Sequence, residues 1–244
     1  MKVLGWIAGV GLSLGVVLLA LAFSTAGMGN DFSGKAPAVK TAGRLEWAWD
    51  GSDRVEIAAP ATVHYQAGGT PRVIVQGPAD LLDRVRFRDG ELKLEQDLFG
   101  DSGGHGERLD VTLTGMTLHR VNLAGSGDMD MGEIHQDQLR LSIAGSASFS
   151  ASGNADDLSL DIAGSGQCHL TKLETRTMRV DIAGSGQVDA ASPQSARVSI
   201  MGSGRLRFAA MPREISSHIA GSGRISDASG QIVDRHRRRE RSWT

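Results

Sequence analysis

Val180-Asp181-Ile182-Ala183-Gly184-Ser185-Gly186-Gln187-Val188 is a stretch that the chain repeats. Residues 121–129 read VNLAGSGDM, 141–149 LSIAGSASF, 160–168 LDIAGSGQC, 198–206 VSIMGSGRL and 217–225 SHIAGSGRI. The leading glycines are Gly125, Gly145, Gly164, Gly184, Gly202 and Gly221, so the spacings are 20, 19, 20, 18 and 19. A fixed period near 20 marks a stacked repeat. Two residues before each leading glycine stand Leu123, Ile143, Ile162, Ile182, Ile200 and Ile219, and four after it stand Met129, Phe149, Cys168, Val188, Leu206 and Ile225. Four before it the residue is again aliphatic, except at Ser217. The interleaved positions are polar, among them Asp128, Ser142, Asp161, Asp181, Ser199 and Arg205. Alternation with period two is a strand with one buried face.

Each repeat therefore reads strand, Gly-Ser-Gly corner, strand. The corners are Gly125-Ser126-Gly127, Gly145-Ser146-Ala147, Gly164-Ser165-Gly166, Gly184-Ser185-Gly186, Gly202-Ser203-Gly204 and Gly221-Ser222-Gly223. A corner where backbones stack closely favours residues without a Cβ, and Ala147 indicates that the third position accepts a methyl. One coil buries too little apolar surface to fold alone; stacking covers its edges and joins the columns into one core. The pattern predicts an all-β fold: a parallel β-solenoid with coils of about 20 residues and an internal aliphatic stack. The apolar residue every six positions of a hexapeptide-repeat acyltransferase is absent.

The Gly-Ser-Gly repeats resemble the DUF2807 family, the auto-transporter adhesin head or head GIN domain. Residues 77–85 (GPADLLDRV) followed by 89–94 (DGELKL) are similar to the N-terminal half of that family. The resemblance spans about residues 44–230. It implies a pectin-lyase-like two-sheet superhelix with the glycine corners between the sheets, and a cell-surface adhesive role. It brings no catalytic residues, and homo-oligomerisation is suggested by this analogy alone.

Composition agrees with thin coils. Glycine is 32 of 244 residues, near twice the usual share of about 7%, and aromatics are 5%. A net charge of −2 gives no reason to expect a nucleic-acid partner. Residues 1–30 carry one charge, Lys2, before an apolar run. Small-x-small patterns at 20–22 and 24–26 fit a cleaved signal peptide; the 21 residues from Val3 to Phe23 are also long enough for an uncleaved membrane anchor. Either reading places the remainder outside the cytoplasm. Residues 31–43 read as a linker, 44–230 as the solenoid and 231–244 as a basic tail with five Arg against two acids. The tail, with Arg237, Arg238 and Arg239, is either a solvated segment or a contact for acidic lipid or polyanionic glycan. No stretch after Gly230 reads as a membrane barrel, so no auto-transporter anchor is expected there.

Other candidate site residues are few. Trp47 and Trp49 share one face of an early strand; they either cover the open end of the stack or form a sugar-stacking platform. Asp161 and Asp181 fall in one column of successive coils, about 5 Å apart, and paired carboxylates can do acid–base or glycosidic work. His169 and Asp189 form a similar pair. The competing reading is a solvated polar ladder, with Arg179 and Arg197 offsetting the charge. Cys168, the single cysteine, sits in an apolar column and reads as a small buried hydrophobe. The repeat serines read as a corner ladder bonding between coils, since the residue two before each of them is Ala or Met and none stands in a Gly-x-Ser-x-Gly elbow. His-Glu-x-x-His, Walker A, dinucleotide and calcium-repeat spacings are absent. The expectation is a non-enzymatic, exported envelope protein without cofactor or metal, binding a glycan, a surface or a protein. The alternative is a polysaccharide lyase or hydrolase using Asp161 and Asp181.

Overall fold

The computed structural model describes residues 36–49, 51–95 and 107–232. The signal or anchor segment and the arginines of the basic tail lie outside the described residues. Five long repeats follow one another as β10 (Asp128–Gly145), β11 (Ser148–Gly164), β12 (Gln167–Glu174) with β13 (Thr177–Gly184), β14 (Gln187–Ala190) with β15 (Ser195–Gly202), and β16 (Arg205–Phe208) with β17 (Glu214–Gly221). β18 (Arg224–Asp227) begins a further turn. All these neighbours pair in parallel, so the chain is a parallel β-solenoid of about five turns.

Two long ladders form the sides. One runs through β3 (Arg54–Ala58), β9 (Arg120–Gly125), the second half of β10, the second half of β11, β13, β15 and β17. The other runs through β8 (Leu109–Thr114), β4 (Ala61–Gln66), the first halves of β10 and β11, then β12, β14, β16 and β18. A short third side joins them in the early coils, entered through register shifts after Asp130 and Ser150. Inside, Val121, Leu141, Leu160, Val180 and Val198 stack with Leu123, Ile143, Ile162, Ile182 and Ile200, all buried. Cys168 is fully buried between Phe149 and Val188, as its column requires. Residues 55–63 form an early coil in the same register, Val55 opposite Val121 and Val63 opposite Met129, with Ala59-Pro60-Ala61 as its corner.

The first half is closed by antiparallel strands. β1 (Val39–Thr41) pairs β2 (Arg44–Ala48), β2 pairs β5 (Arg72–Gln76) and β5 pairs β8. After the short helix α1 (Ala79–Arg84), β6 (Val85–Arg88) and β7 (Glu91–Leu94) form a hairpin. Its two-residue turn, Asp89 at φ 49° and Gly90 at φ 82°, is left-handed at both positions, as a tight hairpin requires. β7 then pairs β3 in parallel. Trp47 and Trp49 are buried here, each with its ring centre 5.6 Å from that of Phe87 in β6. At the other end Ile215 and Ile219 are only partly buried, and β17 is the last described strand of its ladder.

The corners explain the glycines individually. Gly184 has φ +127°, and a Cβ there would sit far inside contact distance of the Gly164 carbonyl oxygen. That oxygen accepts the Ser185 N–H at 2.8 Å, and the Gly166 oxygen accepts the Gln187 N–H at 2.9 Å. The third corner position is tight for a different reason. A Cβ on Gly166 would lie 2.7 Å from Cγ2 of Ile143 in the coil beneath. Ala147 stands above Leu123, which branches at Cγ and has no Cγ2, so its methyl fits. The tolerance read from Ala147 is thus local to that coil.

Gly166→Ala is expected to lower stability by about 1–3 kcal/mol. Ile143→Leu should recover part of that loss, giving a coupling of about 0.5 kcal/mol or more in a double-mutant cycle. Chemical unfolding of the four proteins measures this; strict additivity would contradict the Cγ2 contact.

Candidate functional site

The parallel register turns sequence spacing into straight columns on the outside of the solenoid. On the ladder from β3 to β17, alternate residues point outward because Val121, Leu123 and their equivalents point inward. Nearest the corner is a flat column: Ala124, Ala144, Ala163, Ala183, Met201 and Ala220. Next comes a polar column: Asn122, Ser142, Asp161, Asp181, Ser199 and His218.

Asp161 and Asp181 are direct register partners. Asp181 is buried and accepts a hydrogen bond from Arg179 Nε at 2.8 Å. Asp161 is half-buried. Burial pushes its carboxyl above the usual range, the neighbouring Asp181 adds to the rise, and Arg179 and Arg140 oppose it. The two carboxylates thus differ, one clamped by a guanidinium and the other disposed to hold a proton. At the far end of the column Glu56 is raised in the same way, by burial first and then by Glu91. On the other ladder Asp189 accepts from Arg207 Nε at 2.9 Å, and His169 Nδ1 lies 3.8 Å away.

Trp47 and Trp49 are 2% and 7% exposed. A sugar-stacking platform is therefore corrected: neither ring presents a face to solvent, because both are buried in the core and pack against Phe87. The corner serines are exposed, and the bonds between coils run through their backbone N–H groups. Burial pushes the Cys168 thiol far up, so it carries no nucleophile. Among the described residues no group of three or more His, Cys, Asp or Glu is placed to hold a metal ion. Asp128 pairs with Arg108, and Asp130 accepts from the Gly132 N–H and the Ser150 hydroxyl. Among the described residues no helix is long and apolar enough to cross a membrane.

One outward column escaped the sequence reading. Five residues before each leading glycine stand Arg120, Arg140, Ser159, Arg179, Arg197 and Ser216, and the register aligns them in one line. Arg54 extends the line beside Arg120. The signal was present at the same period as the glycines, one step beyond the columns compared. An open groove of about 760 Å³ lies on this line, its lining including Arg120, Arg140, Ser159 and Arg179 together with Asp53, Asp137 and Asp157.

The sequence matches the family described as "Putative auto-transporter adhesin, head GIN domain" over residues 52–226. A solved structure described as a "putative adhesin" from Bacteroides fragilis superposes with a TM-score of 0.58 at 18% identity, covering 80% of this chain and 100% of that one. A "putative lipid binding protein" from Parabacteroides distasonis is similar at 19% identity, with a TM-score of 0.45, covering 76% of this chain and 96% of that one. At these identities the likeness to the first concerns the fold. No curated protein matches the chain.

The Asp161 carboxyl sets a pH test. Its folded pKa lies above the unfolded value, so the folded state binds the extra proton and stability falls as pH rises through that window. Asp161→Asn should raise the melting temperature relative to the parent at pH ~7 and lose that advantage at pH ~3. An advantage equal at both values, in parallel thermal scans, would contradict the assigned strain.

Proposed function

The chain belongs to the head GIN domain family, DUF2807, and from that premise we propose a non-enzymatic, exported envelope protein that binds a glycan-bearing surface through its outward columns. The observation that carries this is the unbroken register from β9 to β17, which holds six coils of polar side chains in straight lines. Hydrogen bonding on both edges of each coil keeps those lines rigid, so a repetitive ligand meets them without ordering a loop first. The apolar segment at residues 1–30 supports export, whether it is cleaved or retained as an anchor. The tail arginines would add attraction to an acidic surface. A protein partner and self-association are compatible with the same faces.

A second reading rests on Asp161 and Asp181. A protonation-prone carboxyl beside a second carboxyl held by an arginine is a pairing that glycosidic chemistry can use. Against it stands the Arg179 clamp, which occupies the carboxylate that would act as base or nucleophile.

The full chain, incubated with insoluble envelope and plant-type polysaccharides, should co-sediment without forming new chain ends. New ends that vanish in Asp161→Asn/Asp181→Asn, with binding kept, would replace the binding reading by the enzymatic one. Absence of both signals would sink the glycan surface as ligand and leave a protein partner.

A further inference from the structure

We propose that the arginine line Arg54, Arg120, Arg140, Arg179 and Arg197 is a binding track for a linear polysaccharide bearing carboxylates. This deepens the binding reading above and rests on it. The five side chains lie on successive strands with a single gap at Ser159. Five strand-to-strand steps of about 4.8 Å make the track about 24 Å long, parallel to the solenoid axis. Each step is comparable to the rise of one pyranose unit in an extended chain, so successive uronate carboxylates would meet successive guanidiniums.

Charge at this density needs a reason. Like charges one strand apart repel, and partner carboxylates are the usual remedy. Here, among the described residues, only Arg179 is held in an ion pair, with Asp181. Arg54, Arg140 and Arg197 are exposed. Of the carboxylates that share the open groove with Arg120 and Arg140, namely Asp53, Asp137 and Asp157, Asp53 lies nearest His119 and Asp157 pairs with Arg176. The repulsion is relieved by a ligand that brings its own anions. The planar fork of arginine suits carboxylates, which it takes two oxygens at a time.

The adjacent column selects the kind of polyanion. Asn122, Ser142, Asp161 and Asp181 lie two residues along from the arginines. Of these, Asn122 and Asp161 are partly exposed and would accept hydrogen bonds from sugar hydroxyls, while Ser142 and Asp181 are buried. Asp161 and Asp181 would repel a polymer whose anions lie in its backbone linkages, as in polyphosphate, more than one whose carboxylates project toward the arginines. The flat alanine column beyond them leaves room for a sugar ring to lie against the sheet. Nucleic acid is disfavoured for two reasons. Its bases call for stacking faces, whereas Trp47 and Trp49 are buried, and its phosphates are spaced without the hydroxyl donors that the acidic column wants.

The test uses the full chain in detergent, with fluorescent oligogalacturonate as probe. Its methyl ester, dextran and polyphosphate serve as comparison polymers. Arg120→Gln/Arg140→Gln is compared with Arg205→Gln/Arg224→Gln, which removes the same charge from a column of the other ladder. Oligogalacturonate should bind, weaken with salt, and lose affinity at least about tenfold in the Arg120/Arg140 variant. The Arg205/Arg224 variant should stay within about twofold, and Arg120→Lys/Arg140→Lys should fall between. Circular dichroism should show all variants folded, since these side chains point away from the core. Equal losses in the two Gln variants would overturn the track. So would tighter binding of polyphosphate, or of the methyl ester. If the chain holds to envelope polysaccharide but ignores oligogalacturonate, the track fails while the binding reading survives; if it holds to nothing, both fail.

Discussion

Everything in this molecule hangs on the contact between one corner glycine and the carbonyl of the corner glycine below. With no Cβ at Gly145, Gly164, Gly184, Gly202 and Gly221, the backbones close until each carbonyl accepts the N–H of the serine above. That contact holds the coils in register through the turn, where a β-structure ordinarily loses its pairing. The aliphatic columns then stack without offset, and the β-branch of each isoleucine fills the space beneath the next corner. Corner and core are therefore one constraint. The exchange of Leu123 for isoleucine below, and of Ala147 for glycine above, shows the two adjusting together.

The same constraint writes the surface. Because the register is continuous from β9 to β17, residues 18–20 apart in sequence become neighbours one strand apart. A polar residue on such a face is never alone; its chemistry includes that of the residue one coil away. Asp161 is raised by its burial and then by Asp181 beside it, and Asp181 in turn accepts a hydrogen bond from Arg179. The arginine line has its character for the same reason. No loop builds these arrangements.

The solenoid was legible in the sequence because the period of two and the period near twenty both survive in the residue types. Strand direction was not. Leu45 and Trp47, or Val73 and Val75, alternate like any buried strand, and inward or outward parity is the same for parallel and antiparallel pairing. Hence the antiparallel closure by β1, β2 and β5 had no signature beyond irregular spacing. Asp89-Gly90 announced a turn, yet only the left-handed φ of both residues distinguishes a hairpin from a coil corner. At the site, the Asp161–Asp181 pairing followed from the repeat. The burial of Trp47 and Trp49 depended on Phe87, forty residues away, and the arginine column lay outside the positions compared.

The two ends of the described stack differ. Among the described strands β1 is outermost at one end and β18 at the other, with nine strands between them. Tension applied through β1 and β18 is therefore directed along the axis, across the hydrogen bonds rather than along the strands. Under such a load the bonds of one coil open before those of the next, and each coil released lengthens the molecule by about 65 Å at ~3.3 Å per residue. A pull along the strands would instead load every bond of a coil at once. Loaded along this axis, the solenoid would yield in steps, paying out chain coil by coil while the coils still stacked keep hold.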